Sequence, residues 1–177
     1  MKQNYRWQSS HWILLAWVLI GCLVTYQPLY GQTKEGDVAN SEFALHAGRL
    51  LPAHIEGVSE VMPFWGFRHS VAQSSRSYIE WGVMTARAYA TDWTTLSVSL
   101  RGDVPIEYMS GIFYAGIDSH LYNPAQQVEQ RNENGLHVGT GLLNHFAENL
   151  WFRADMKFNF GPGSQMYLGF SLVFKEP

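Results

Sequence analysis

Cysteine is almost absent from this 177-residue chain, because Cys22 is its only one. It lies within the apolar stretch near the N-terminus. If residues 1–32 are removed during export, the remaining 145 residues contain no cysteine. Disulfide bonds and thiol chemistry are then excluded for the mature chain.

Long apolar runs are also lacking, except for one run near the start of the chain. Residues 1–32 contain the successive parts of a secretory signal peptide: basic Lys2 and Arg6, an apolar run over 12–26, the break at Pro28 and the small residue Gly31. The run is shorter than the ~20 residues of a spanning helix, so cleavage near residues 31–32 is favoured over a membrane anchor. Lipidation at Cys22, which follows a lipobox-like Leu-Ile-Gly, is the remaining alternative.

Positive charge is scarce in the mature chain. Of twelve basic residues, Lys2 and Arg6 leave with residues 1–32, so ten remain against fifteen acidic residues, a formal charge near −5. This balance argues against a nucleic-acid partner. The segment 33–41 is a polar lead-in, and residues 42–177 show no internal linker, which predicts one domain.

No helical periodicity is evident after the lead-in, whereas apolar residues repeatedly alternate with polar or small ones. This pattern, interrupted by clusters of Gly, Pro, Ser, Asn and Asp, is typical of antiparallel strands. The predicted strands are 42–51, 63–72, 77–90, 93–101, 109–121, 135–146, 150–160 and 165–174. The fold class is therefore all-β, with about eight strands.

The two faces of these strands differ in a way that indicates their surroundings. One face is apolar, and the other mixes charged residues with repeated glycines, namely Gly116, Gly139, Gly141 and Gly169. Glycine weakens a solvated strand, but it leaves space for large side chains inside a narrow lumen. The pattern favours a closed antiparallel up-and-down transmembrane β-barrel with its apolar face outward. A soluble, lipocalin-like ligand carrier is the alternative.

Strand length, aromatic residues and connections agree with a membrane barrel. A spanning strand needs ~9–11 residues, which most of the predicted strands reach. An aromatic girdle is predicted from residues near strand ends: Phe43, Trp65, Trp81, Trp93, Phe146, Trp151, Phe152, Phe160 and Phe174. Connections on the side of the termini are predicted to be short (73–76, 102–105 and 147–149), and the longest ones (52–62 and 122–134) lie opposite.

The C-terminal strand carries the most specific resemblance. Tyr167, Gly169, Leu172 and Phe174 resemble the assembly signal at the end of small eight-stranded outer-membrane β-barrels of Gram-negative bacteria, the class of the OmpA transmembrane domain, OmpX and OmpW. Leu172 stands where an aromatic is usual, and residues 175–177 extend past the signal. The resemblance implies a monomer in the outer membrane, in contact with lipid and lipopolysaccharide, and inserted by the barrel-assembly machinery.

A set of charged residues is predicted to fill the lumen as mutually neutralising pairs: Arg68, Glu80, Arg101, Asp118, His120, Arg153, Asp155 and Lys157. No catalytic residue, metal ligand or cofactor is predicted, and the expected role is structural or interactive. One alternative is a lipid A deacylase-like enzyme using His69, Ser70 and Glu80. Adjacent strand residues point to opposite faces, which disfavours that triad. A narrow pore is a further alternative.

Overall fold

A computed structural model describes residues 41–53, 55, 58–88, 91–123, 131–161 and 165–176. The predicted signal peptide, Cys22 and residues 33–40 of the polar lead-in lie outside the described residues. Among the described residues, no helix has the length and apolar character needed to cross a membrane.

The described residues form eight strands that close into a barrel. The strands are β1 (Ser41–Pro52), β2 (Met62–Ser74), β3 (Ser77–Ala88), β4 (Thr91–Ile106), β5 (Met109–Asn123), β6 (Arg131–Ala147), β7 (Leu150–Phe160) and β8 (Gln165–Glu176). Each strand pairs antiparallel with its neighbour in sequence, and β8 pairs with β1. The predicted fold class, a closed antiparallel β-barrel of eight strands, is confirmed.

The two ends of the barrel differ in their connections. The end that contains Ser41 and Glu176, called the terminal end, has two-residue turns at 75–76, 107–108 and 148–149. The opposite end, called the loop end, carries the connections 53–61, 89–90, 124–130 and 161–164. The predicted difference in connection length is therefore present, although the connection between β3 and β4 is also short.

Alternation along each strand separates an inward face from an outward one. In β8, Tyr167 and Val173 are buried, whereas Leu168, Phe170 and Leu172 are exposed. The other strands follow the same rule, so the outward surface is an apolar band with few charges. Large apolar side chains that face outward in this number indicate a surface that is covered in use.

The hairpin between β4 and β5 differs from the prediction. A turn was expected at residues 102–105 because Gly and Pro favour turns, but β4 continues to Ile106 and the turn lies at 107–108, where Glu107 has φ 24°. Pro105 is tolerated because it lies on a free edge. The amide of Asp103 points toward the β3 side of β4 and donates to the Arg76 carbonyl at 2.8 Å. Residue 105 is the next position whose amide would point to that side, and it lies beyond the end of the pairing between β3 and β4.

Several other strands were predicted too short, among them β6 and β8. β6 begins at Arg131 rather than residue 135, because its first residues pair with the end of β5. β8 continues to Glu176 rather than ending at residue 174, because Lys175 and Glu176 pair with Glu42 and Ser41. The C-terminal extension therefore belongs to the closing strand pair, except for the undescribed Pro177.

The aromatic girdle was also predicted with two errors. Trp93 is buried in an apolar cluster inside the loop end, where it stacks on Tyr122 with ring centroids 4.4 Å apart. Trp151 faces inward at the terminal end, where Lys175 Nζ lies 4.5 Å from its ring centre. Proximity to a strand end does not fix the face, which alternates with each residue. The other seven predicted girdle residues lie on the outward face.

Apolar side chains inside the loop end form a cluster of ten buried residues: Leu50, Ile55, Val58, Met62, Phe64, Met84, Ala86, Trp93, Tyr122 and Tyr167. Ile55 and Val58 come from the connection between β1 and β2, where the Val58 amide donates to the Ile55 carbonyl at 3.1 Å. This turn packs into the barrel mouth. A second, smaller apolar cluster lies inside the terminal end (Ala44, Ile112, Leu143 and Val173), and between the two clusters the lumen is polar.

Candidate functional site in the lumen

All eight residues of the predicted charge network lie on the inward face. Arg153 and Glu80 are the clearest pair, because Arg153 Nη1 donates to Glu80 Oε2 at 2.6 Å while the two side chains are only 1% and 5% exposed. They come from β7 and β3, which are four strands apart and thus on opposite sides of an eight-stranded barrel. The contact crosses the lumen.

Arg101 links this contact to the terminal end. Its guanidinium donates to Glu42 at 2.6 Å and makes two bonds of 2.8 Å to the carboxylate of Asp103. It also lies 3.4 Å from Glu80. Lys175 approaches the other oxygen of Glu42 at 2.7 Å. A buried guanidinium with this many carboxylate contacts has its charge compensated by the protein itself.

Asp155 contacts two arginines, one of which is the Arg153 that also pairs with Glu80. Arg68 Nη1 donates to Asp155 Oδ2 at 2.6 Å, and Arg153 Nη2 lies 2.8 Å from the same oxygen. The hydroxyl of Tyr114 also donates to it at 3.3 Å. Gly139 makes this position possible, because a Cβ there would lie 2.1 Å from Tyr114 Cζ.

Asp118 forms a second group nearer the loop end. Lys157 Nζ donates to its Oδ2 at 2.8 Å, and the amide of Asn159 donates to the same oxygen. His120 has neutral partners instead: Thr95, Asn159 and Gln165 lie within 3.1 Å of its ring nitrogens. His120 therefore belongs to a chain of hydrogen bonds beneath the apolar cluster rather than to an ion pair.

The charges of the lumen balance. The ion pairs there join five basic side chains (Arg68, Arg101, Arg153, Lys157 and Lys175) to five carboxylates (Glu42, Glu80, Asp103, Asp118 and Asp155). Counted over these ten side chains, the ion-pair network has no net charge. It needs no bound counter-ion for electroneutrality.

Ser99, His137 and Asp118 form a buried cluster with the residue types of a hydrolase triad. Ser99 Oγ lies 2.8 Å from His137 Nε2, and His137 Nδ1 lies 2.9 Å from Asp118 Oδ1. The second contact is not aligned as a hydrogen bond. In addition, the neighbouring main-chain amides belong to paired strands, so they are not free to form an oxyanion hole.

A small cavity of about 20 Å³ lies among these polar groups, lined by residues that include His46, Arg68, Ser99, Tyr114 and Lys157. This volume accommodates about one water molecule. An acyl chain or a peptide does not fit in it.

The residues of the alternative deacylase-like triad are separated by the barrel wall. Ser70 and Glu80 face inward, and Ser70 Oγ donates to Glu80 Oε2 at 3.2 Å. His69 faces outward, where its ring lies 5.5 Å from that of Trp81. His69 cannot act on Ser70 in this arrangement. Among the described residues, no group of three or more His, Cys, Asp or Glu side chains is placed to hold a metal ion.

Several lumen residues that make these contacts were not included in the predicted charge network. They are Glu42, Ser70, Ser99, Asp103, Tyr114, His137, Asn159, Gln165 and Lys175. Alternation alone places Glu42 and His46 on the inward face of β1. It likewise places Tyr114 and Asp118 on the inward face of β5. Their partners lie on distant strands, which alternation does not reveal.

The four residues of the assembly-signal resemblance occupy two faces of β8. Tyr167 and Gly169 face the lumen and are buried. Leu172 and Phe174 face outward and are exposed. Gly169 pairs with Gly48 of β1, and a Cβ at position 169 would lie 2.9 Å from Phe64 Cζ. The structure thus gives Gly169 a packing reason as well.

No family model matches the chain, and no curated protein matches it either. Solved structures do. Neisserial surface protein A matches with a TM-score of 0.64 and 12% identity over 80% of this chain and 100% of that one. The N-terminal β-barrel domain of Pseudomonas aeruginosa OprF matches with a TM-score of 0.59 and 15% identity, over 76% of this chain and 98% of that one. Pseudomonas aeruginosa OprG matches with a TM-score of 0.53 and 9% identity, over 78% of this chain and 98% of that one. This chain has the fold of the small eight-stranded outer-membrane β-barrels.

Proposed function

We propose that this protein is an integral outer-membrane barrel with a structural or interaction role in the Gram-negative envelope. This proposal rests on the way in which the lumen is filled. Opposite charges neutralise one another across it, and an apolar cluster occupies its loop end. Over the described residues, this filling argues against a continuous aqueous path and against space for a substrate. The apolar outward face suits lipid.

The shared fold and the layout of the termini support the membrane placement. Short turns lie at the end that holds both termini, and the longest connections lie opposite, as in outer-membrane barrels whose loops face outward. Residues 1–32 supply the export signal in this proposal, and the barrel-assembly machinery recognises β8. The inserted protein works as a monomer without a cofactor, in contact with lipid and lipopolysaccharide.

The decisive experiment uses the purified barrel in bilayers that contain lipid A. Acyl release and single-channel current are measured on the same preparation, and folding is checked by heat-modifiable migration on a gel. The proposal expects neither acyl release nor a steady conductance. Acyl release that is lost in Ser99→Ala or Ser70→Ala would establish an enzyme, and a steady current would establish a pore.

Localisation needs a separate measurement, because a closed lumen also suits a soluble barrel. Fractionation of a Gram-negative host expressing the full chain is expected to place the mature protein in the outer membrane. Recovery of the mature protein from the soluble periplasm would favour the lipocalin-like carrier. In that case a surface other than lipid would have to cover the exposed apolar band.

A further inference from the structure

Two arginines interrupt the apolar outward face at the loop end. Arg49 of β1 is exposed, and among the described residues no carboxylate pairs with it. Arg87 of β3 has a side chain that is 77% exposed. An outward-facing guanidinium at a barrel rim would lie near the boundary between lipid and water.

The register places these arginines at one level. Arg49 pairs with Pro63 of β2. Phe64 pairs with Ala86, so Pro63 and Arg87 are the next opposing positions. Two strand spacings therefore separate Arg49 from Arg87, about 10 Å between main chains. The small, apolar ring of Pro63 lies between them and leaves the space above it open.

Arg87 is only partly engaged by its neighbour. Its Nε and Nη2 atoms donate to the carboxylate of Asp92, which leaves Nη1 without an acceptor among the described residues. Asp92 is the acidic group next to the arginine pair, and Glu60 is exposed in the adjacent connection. Arg49 carries the uncompensated charge, and Arg87 adds a donor.

Trp65 extends this surface toward the middle of the barrel. It is the next outward residue after Pro63 on β2, it pairs with Ala47, and it is 67% exposed. Leu45 follows on β1 and is exposed as well. From the loop end inward, the order is guanidinium, indole and then aliphatic side chain. A phosphorylated lipid presents its phosphate, interface and acyl chain in the same order.

We infer that Arg49 and Arg87, with Trp65 beneath them, form a binding site for the phosphate group of an outer-leaflet lipid. Guanidinium groups bind phosphate through charge-assisted, often bidentate hydrogen bonds. The terminal end is unsuited to this task, because its described exposed acids, Glu107, Glu148 and Glu176, outnumber Arg76. This inference rests on the proposed outer-membrane placement with the loop end outward.

Native mass spectrometry of the purified full chain in detergent micelles tests the site. The protein is titrated with lipid A, with dephosphorylated lipid A and with inorganic phosphate, and the retained ligand is measured. The wild type is expected to prefer lipid A, and Arg49→Gln to weaken its retention about three- to tenfold, the range for charge-assisted contacts at an exposed site. Asp92→Asn is expected to strengthen retention, since it frees Arg87.

Arg76→Gln is the matched control, because it removes the same charge at the terminal end and should leave retention unchanged. Heat-modifiable migration confirms that every variant is folded. Equal retention of both lipids, together with no effect of Arg49→Gln, would overturn the site. Saturable binding of inorganic phosphate, without preference between the two lipids, would show that the site binds free phosphate rather than the phosphate group of a lipid. Either failure leaves the lumen proposal intact, since Arg49 lies outside the lumen.

Discussion

Arg153 and Glu80 meet across the barrel at 2.6 Å, from strands on opposite sides of the lumen. Glu80 also receives contacts from Arg101 and Ser70. Its carboxylate therefore shares in the compensation of two buried arginines, which also contact other carboxylates: Asp155 for Arg153, and Glu42 and Asp103 for Arg101. Without the charge of Glu80, five basic side chains of the ion-pair network face four carboxylates, and one buried positive charge is left uncompensated.

Neutralising Glu80 should accordingly cost much more stability than breaking an exposed pair. Glu80→Gln is expected to lower the free energy of unfolding by about 3–5 kcal/mol. Arg87→Gln, which breaks the exposed contact with Asp92, should change it by less than about 1 kcal/mol. Urea titration of the barrel in micelles measures both. Equal losses in the two variants would contradict a structural role of the lumen pairs.

The contact between Tyr114 and Gly139 gives a second prediction. Gly139→Ala places a methyl group 2.1 Å from Tyr114 Cζ, so the ring must move away from Asp155. Overpacking of this kind is expected to cost about 1–3 kcal/mol. Gly102→Ala is the control, because no heavy atom lies within 4 Å of its added Cβ. Thermal unfolding followed by gel migration distinguishes them, and a harmless Gly139→Ala would refute the packing argument.

Assembly through β8 gives a third prediction. Gly169→Asp puts a charged side chain against Phe64, and Phe174→Ala removes an outward aromatic from the closing strand. Both should reduce the membrane yield of folded protein more than deletion of Pro177. Deletion of residues 175–177 should have an intermediate effect, because it removes the contact of 2.7 Å between Lys175 and Glu42. Equal yields of folded protein from all four variants would rule out this ranking.

The free edge of β4 gives a fourth prediction. Pro105 occupies the position at which an amide would point away from β5, beyond the end of β3. Pro105→Thr restores that donor and is expected to promote edge-to-edge association. Light scattering coupled to size exclusion should detect oligomers of the variant. Pro105→Asp is the control, since it restores the amide but adds a repelling charge. A monomeric Pro105→Thr protein would show that the edge is protected in another way.

Much of the fold could be predicted from local pattern. The bounds of β7 matched the structure, since its eleven residues alternate without interruption. The β4–β5 hairpin was misplaced because Gly102 and Pro105 signal a turn wherever tertiary context is ignored. Pro105 is compatible with a strand only where no neighbour needs its amide, and the sequence does not show which strand ends first.

The lumen shows the same difference between what the local sequence determines and what the tertiary structure determines. Alternation by itself determined that Arg153, Asp155 and Lys157 share a face, because strand geometry has a period of two. Only the closed tertiary structure decided that Arg153 meets Glu80 and that Lys157 meets Asp118. Those partners are 73 and 39 residues apart, and their distance depends on strand order and register around the whole barrel. Local sequence fixes which way a side chain points, whereas barrel closure fixes what it meets.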